Sequence, residues 1–96
     1  MLVLITYDVN TEDQEGRTRP RKVAKKCVNY GQRVQNSVFE CLLDTSQLKR
    51  LQMELLKLID TEKDSLRFYY LGKKYETKIE QFGAKAGYNP QDAMII

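Results

Sequence analysis

The sequence contains no histidine and no tryptophan, and it has only 2 prolines and 5 glycines among its 96 residues. The absence of histidine removes the commonest general base, every histidine-dependent catalytic triad and most transition-metal sites. Hydrolytic chemistry in this chain would therefore depend on carboxylates, assisted by a hard divalent ion, Mg²⁺ or Mn²⁺. With 42% hydrophobic and 30% charged residues, the composition is that of an ordinary folded domain, not of a disordered or fibrous chain.

No run of apolar residues approaches the roughly 18 that a membrane-spanning helix needs. The apolar start, residues 1–5, is too short for a signal peptide, and no basic region precedes it. We therefore expect a cytoplasmic protein. The 2 cysteines agree with this compartment, because the spacing of Cys27 and Cys41 matches no metal site or redox motif, and we interpret them as buried free thiols.

Positive charge is concentrated in one segment. No acidic residue occurs between Gly16 and Phe39, and this segment contains seven of the 16 basic residues: Arg17, Arg19, Arg21, Lys22, Lys25, Lys26 and Arg33. The remaining nine stand against 13 acidic residues, so the rest of the chain has a net charge of −4. A localised basic surface favours a nucleic-acid partner, because contacts from Lys and Arg to phosphate supply most sequence-independent affinity. A solvated helix face with a basic loop is the alternative interpretation.

Hydrophobic periodicity and turn residues indicate where helices and strands lie. Strands are predicted over 1–9, 33–43, 65–71 and 75–82, and helices over 21–30 and from about 46 to 59. We assign the chain to the α+β class, with a ferredoxin-like βαββαβ arrangement and a four-stranded antiparallel sheet whose first and third strands lie in the middle. The domain covers 1–82, and 83–96 form a C-terminal tail.

The first strand is apolar on both faces, yet two helices can cover only one face of a sheet. We expect a homodimer in which the two sheets pack on each other, because twofold symmetry presents the uncovered face to its own copy. The tail is expected to pair as a short strand with an edge of the partner, and the alternative is that it folds back on its own chain.

Four features of the sequence, taken together, resemble a known protein family. The features that carry the resemblance are the strand ending in Tyr7, Asp8 and Val9, the segment 33–40, an arginine-containing start of the first helix and a leucine-rich second helix. Over 1–82 these resemble the CRISPR-associated protein two family, the small subunit of the spacer-acquisition machinery. The resemblance implies a ferredoxin-like homodimer that works with the larger integrase subunit, CRISPR-associated protein one.

The resemblance also implies roles for individual residues. The metal-binding aspartate of the family falls on Asp8, and its helix-start arginines fall on Arg19 and Arg21, with Arg17 as a nearby substitute. Its second-strand arginine and phenylalanine fall on Arg33 and Phe39. In a twofold dimer, two Asp8 carboxylates could share one divalent ion across the axis. The alternative for Asp8 is a turn-forming aspartate that bonds to nearby backbone amides.

Other candidate residues come from the chemistry of their side chains. Ser37 could hold a phosphate or a water through its hydroxyl, although no partner that would make it a nucleophile is evident. Arg33 and Phe39 have ordinary alternatives, a solvated rim charge and a packing residue. Tyrosines of the last two strands, Tyr69, Tyr70 and Tyr75, could stack on bases if the sheet face is open.

Two classes of function follow from these residues and the resemblance. The first is a metal-dependent endonuclease, with double-stranded DNA as the expected substrate and single-stranded RNA as the alternative. The second is a noncatalytic scaffold that binds double-stranded DNA and bridges integrase subunits. A ferredoxin-like RNA-binding or toxin-type module is a weaker third possibility.

Overall fold

The computed structural model describes residues 1–9, 15–71 and 78–84. Two helices and five strands occur in these ranges: β1 (Leu2–Asp8), α1 (Glu15–Val28), β2 (Gly31–Gln35), β3 (Val38–Leu42), α2 (Thr45–Leu58), β4 (Ser65–Leu71) and β5 (Lys78–Gly83). All neighbouring strands are antiparallel, in the order β2-β3-β1-β4-β5. Of the predicted tail over 83–96, only Gly83 and Ala84 lie within the described residues.

The α+β class and the ferredoxin-like fold are confirmed, since β1, α1, β2, β3, α2 and β4 follow the order βαββαβ. The predicted number of four strands is wrong, because β5 extends the sheet to five. β1 and β4 each have a neighbour on both sides, as expected for the first strand and for the strand over 65–71.

The segment 33–43, predicted as one strand, is a hairpin of β2 and β3. Asn36 and Ser37 form its turn, and Gln35 pairs with Val38 across it. Asn and Ser favour turns, but apolar residues on both sides of this pair resembled one continuous strand. The hairpin supplies the second strand that the βαββαβ order requires between the two helices.

The first helix is longer than its pattern predicted. α1 begins at Glu15 rather than at Arg21, so Pro20 lies inside the helix instead of in its first turn. The polar composition of 10–18 concealed this start. The second helix agrees with prediction, and Asp44 caps it: its carboxylate accepts from the Gln47 backbone N–H at 2.7 Å, and the Gln47 side chain accepts from the Asp44 N–H at 3.0 Å.

The core lies between the helices and one face of the sheet. Alternation along β1 buries Val3, Ile5 and Tyr7 on this face. They belong to one hydrophobic cluster with residues of both helices and of β3 and β4, including Val23, Cys27, Leu51, Leu55, Phe39, Cys41, Leu66 and Phe68. Both helices therefore cover the same face, and we call the opposite one the open face.

The open face carries Leu2, Leu4, Thr6 and Asp8 of β1. Its register brings Leu2 opposite Leu42 and Leu71, which are 74% and 39% exposed. Exposed leucines on a sheet face are typical of a surface that another element or molecule covers. The homodimer stays a prediction at this point.

One carboxylate, Asp64, joins three parts of the chain beneath the end of β1. It is completely buried, and its Oδ2 accepts from the Tyr7 hydroxyl at 2.6 Å and from Arg19 Nε at 2.7 Å. Arg19 Nη2 donates to Oδ1 at 3.1 Å, and the Asp60 backbone N–H donates to Oδ2 at 3.0 Å. Because a buried charge is stable only when it is paired and hydrogen-bonded, these contacts fix the Asp64 cluster, namely Asp64, Tyr7 and Arg19.

The backbone of Asp64 ties the last strand to the same place. Its carbonyl oxygen accepts from the Ala84 N–H at 2.7 Å. Gly83 lies directly against this carbonyl with φ +106, a conformation that residues with a Cβ rarely adopt.

We expect Gly83→Ala to lower the free energy of unfolding by about 1–3 kcal/mol, because the added methyl meets the Asp64 carbonyl in a disfavoured backbone conformation. Chemical denaturation measures this change. The control is Ala84→Gly at the exposed neighbouring position, which should change stability by about 0.5 kcal/mol or less. Equal stability of Gly83→Ala and the wild type would contradict the close approach.

Tyr7→Phe removes one donor from the buried carboxylate and should lower the free energy of unfolding by about 1.5–3 kcal/mol at pH 7. Tyr30→Phe, at a half-buried tyrosine that packs against the core, is the control and should be close to neutral.

Tyr7→Phe should also change how the free energy of unfolding depends on pH. Burial, followed by the bond to Asp64, raises the pKa of Tyr7 in the folded protein. Tyrosine in the unfolded chain ionises at about pH 10. The stabilisation by neutral Tyr7 is therefore complete below that pH and is lost as the pH rises above it. Tyr7→Phe should therefore show a shallower loss of stability above about pH 10. Parallel curves for variant and wild type would mean that the hydroxyl is not bonded as described.

Candidate functional site

Asp8 is the last residue of the central strand, and its side chain is exposed on the open face. It lies opposite Ser65, the first residue of β4. The turn between β2 and β3 is at the same end of the sheet, since the Tyr7 backbone N–H donates to the Ser37 carbonyl at 2.9 Å. Tyr7 and Asp64 directly precede Asp8 and Ser65 in the sequence. Their hydrogen bond on the helix side of the sheet fixes the strand ends that carry Asp8.

Of the three residues predicted to act with Asp8, the fold brings Ser37 to the same end of the sheet and places Phe39 and Arg33 further away. Ser37 is exposed in the turn beside the end of β1. Phe39 is opposite Ile5, three residues before Asp8 and therefore about 10 Å along the strand. Arg33, on the edge strand β2, is paired with Phe39.

Phe39, predicted as a site residue, lies in the core and not on the surface. Its ring is 1% exposed because the alternation of β3 directs it into the core. The Arg33 guanidinium carbon lies 5.5 Å from the centre of this ring, and Arg33 itself is exposed. Phe39 thus supports an accessible cation through a cation–π contact.

The basic segment is exposed in part. Arg21, Lys22 and Lys25 are exposed on α1, and Lys26 is half-buried with its Nζ 3.7 Å from Glu54 on α2. A shallow cleft of about 280 Å³ runs beside them, lined by Lys22, Lys25, Lys26, Asn29 and Leu58. The side chain of Arg17 lies outside the described residues.

Arg19 requires a correction. It was expected at the nucleic-acid surface, but only 7% of it is exposed, and its guanidinium pairs with Asp64. The reason is helical geometry, since Arg19 is four residues before Val23 and so shares the inward face of α1.

The structure tests whether Asp8 could hold a divalent ion. Within 1–9, 15–71 and 78–84, no group of three or more Asp, Glu, Cys or His side chains forms a metal site. Asp8 offers one exposed carboxylate, and Mg²⁺ accepts one or two carboxylates while it keeps several waters. The donor type of Asp8 therefore fits a hard cation.

Sequence reasoning missed a polar group next to Asp8. Arg67 of β4 lies opposite Thr6 on β1 and opposite Gln81 on β5, and it is half-buried. Gln81 Nε2 contacts Ser65 Oγ at 3.4 Å. The signal was present, because an arginine between apolar residues in the alternating strand 65–71 must lie on the same face as Ser65.

The cysteines take no part in this site. Cys27 and Cys41 are free and completely buried, as predicted. Burial raises the pKa of the Cys27 thiol to about 12 and also raises the pKa of Cys41, so neither forms a thiolate at neutral pH.

Neither helix that the structure describes is long and apolar enough to cross a membrane.

Comparisons with known proteins agree with the fold. The chain is 61% identical over its whole length to the CRISPR-associated endonuclease Cas2 of Halalkalibacterium halodurans, all of which is covered. It is 53% identical to the CRISPR-associated endoribonuclease Cas2 of Nitratidesulfovibrio vulgaris, over all of this chain and 94% of that protein. The crystal structure of Streptococcus pyogenes Cas2 matches with a TM-score of 0.72 and 56% identity, covering 78% of this chain and 90% of that one.

A model of the family described as CRISPR associated protein Cas2 matches residues 1–79, which include β1 with Asp8, the β2–β3 hairpin, both helices and β4. The chain therefore belongs to the CRISPR-associated protein Cas2 family.

Proposed function

We propose that this protein is a metal-dependent endonuclease that hydrolyses phosphodiester bonds of double-stranded DNA during CRISPR spacer acquisition. The observation that carries the proposal is Asp8, a carboxylate exposed at the end of the central strand within the segment that matches the family. The name of the Halalkalibacterium halodurans relative, an endonuclease, supports the activity.

Asp8 holds the Mg²⁺ or Mn²⁺ ion in this proposal. A bound divalent ion lowers the pKa of a water and offsets charge on the reacting phosphate. Ser37, exposed in the neighbouring turn, positions a water or a phosphate oxygen through its hydroxyl. Arg33 contacts phosphate from the edge of the sheet, and the buried Phe39 ring positions Arg33 without touching substrate.

Nucleic-acid binding rests on the basic side chains that are accessible, namely Arg21, Lys22, Lys25, Lys26 and Arg33. Such contacts provide affinity without sequence preference. The partner protein is the integrase subunit, CRISPR-associated protein one, and the cytoplasm is the proposed location. Both follow from the role of the family.

The working unit is a homodimer that joins open face to open face. Its support is the apolar surface formed by the exposed Leu42 and Leu71 with the half-buried Leu2, which neither helix covers. A second copy also brings a second Asp8, and the two carboxylates together suit a two-carboxylate site.

Two observations favour alternatives. A single carboxylate is a sparse metal site, which favours a noncatalytic scaffold that binds double-stranded DNA and bridges integrase subunits. The Nitratidesulfovibrio vulgaris and Chlorobaculum tepidum relatives are named endoribonucleases, which favours single-stranded RNA as substrate.

Asp8→Asn keeps the shape of the side chain and removes the charge that binds the ion. We expect it to lower metal-dependent cleavage by at least about 100-fold while the fold and most DNA binding persist. Duplex DNA and single-stranded RNA are incubated side by side with Mg²⁺, Mn²⁺ or EDTA. Glu62→Gln, at an exposed carboxylate in the turn before β4, is the control and should cleave as the wild type does.

Cleavage by Asp8→Asn at the wild-type rate would contradict the assignment of the ion to Asp8. Cleavage of RNA alone by the wild type would favour the endoribonuclease. If the wild type binds duplex DNA but cleaves neither substrate with either metal, the scaffold is the better description.

The dimer predicts a mass near twice 11.2 kDa in sedimentation equilibrium at micromolar concentration. Leu42→Lys places a charge in the apolar part of the open face and should shift the mass toward the monomer. Met53→Lys, at a similarly exposed residue on α2, should leave the dimer intact. A wild-type mass of one chain would reject the homodimer.

A further inference from the structure

The open face divides into two halves along β1 and β4. At one end the paired residues are apolar or aromatic, and at the other they are polar. The apolar half consists of Leu2, Leu4, Tyr69 and Leu71, and the polar half consists of Thr6, Asp8, Ser65 and Arg67. A surface that serves only to pack against another sheet has no need of the second half.

We propose that Arg67 is a second, cationic residue of the Asp8 site and binds phosphate oxygens of the nucleic acid held there. The inference rests on the proposed function and adds a residue to it. Register is the first argument, because Asp8 pairs with Ser65 and Thr6 pairs with Arg67. Asp8 and Arg67 are therefore diagonal neighbours on one face, roughly 7–8 Å apart at the backbone, which is within reach of an arginine side chain.

Burial is the second argument. Leu66 and Phe68, on either side of Arg67 in the sequence, are completely buried on the helix face, and Arg67 is half-buried on the open face. A guanidinium that has lost part of its hydration is stable where anionic groups face it. Among the described residues of this face, Asp8 is the carboxylate that adjoins Arg67, since Glu40 lies two strands away and opposite Leu4.

Chemistry is the third argument. Guanidinium presents a planar fork of donors that matches two phosphate oxygens, and this is why arginine is common where phosphate is recognised. A phosphodiester held at Asp8 has oxygens that gain charge during hydrolysis, and a fixed cation beside them stabilises that charge. The neutral side chains of Thr6, Ser65 and Gln81 surround the pair and add no competing charge.

This arrangement is compatible with the proposed dimer. The apolar half of the open face makes the contact between copies, and the polar half borders it at the end of the sheet where Asp8 is exposed. Arg67 is placed by the strand rather than by a loop, so its position relative to Asp8 is set by the register of β1 and β4.

The experiment compares Arg67→Gln and Arg67→Lys with Arg50→Gln, a control at an exposed arginine of α2. Affinity for a 20-base-pair duplex is measured in EDTA between about 50 and about 200 mM salt, and cleavage is measured as a function of Mn²⁺. Arg67→Gln should weaken duplex binding by about 10-fold and make the slope of log affinity against log salt less negative by about 0.9, the value for one lost phosphate contact.

Cleavage by Arg67→Gln at saturating Mn²⁺ should fall by at least about 10-fold, and Arg67→Lys should recover part of it, since lysine keeps the charge without the fork. Arg50→Gln should match the wild type in both assays. Thermal unfolding and sedimentation confirm that each variant is folded and has the wild-type mass.

Two results would overturn the inference. If duplex binding and maximal cleavage are unchanged and only the Mn²⁺ midpoint falls, Arg67 is merely a counter-ion that competes with metal for Asp8. If binding falls only because the dimer dissociates, Arg67 belongs to the subunit contact. The salt slope in EDTA decides the role of Arg67 even if the wild type does not cleave, so failure of the nuclease and failure of this inference are distinguishable.

Discussion

A single buried ion pair, Asp64 with Arg19, connects the parts of the chain on which the site depends. The Asp64 carboxylate is completely buried and receives donors from β1, from α1 and from the turn before β4, while its backbone carbonyl accepts from the residue after β5. None of these segments adjoins the others in sequence. Leaving either charge of the pair unpaired costs about 3–5 kcal/mol. The relative positions of these segments are therefore strongly coupled.

The division of β1 into two faces explains how this support reaches a functional residue. Tyr7 points to the helix side and bonds to Asp64, whereas Asp8, the next residue, points to the open face. The helix side of β1 can therefore be tightly packed while Asp8 stays exposed, as the proposed binding of a metal ion and nucleic acid requires. Arg67 and Ser65 follow the same alternation on β4, so two neighbouring strands present polar groups at one end of the open face.

Local patterns predicted the fold class, the central strand with Asp8 at its end, and the second helix, because each depends on periodicity within one element. The β2–β3 hairpin was missed because its turn, Asn36 and Ser37, is only two residues long and has apolar strand residues on both sides, so that 33–43 resembles one continuous strand. The burial of Arg19 could not be predicted, since its partner Asp64 is 45 residues away and only the packed helix brings them together. Phe39 was assigned to the site by resemblance, and the alternation of β3 places it in the core instead.

The central claim is that Asp8, held from beneath by the Asp64 cluster, is the protein ligand of a divalent ion on the open face. Anomalous diffraction from crystals soaked in Mn²⁺ tests it most directly, because manganese is located independently of any assay. We expect an anomalous peak within about 2.1 Å of an Asp8 carboxylate oxygen. An ordered Asp8 side chain with no peak beside it at saturating Mn²⁺, or a principal peak on other carboxylates, would contradict the account.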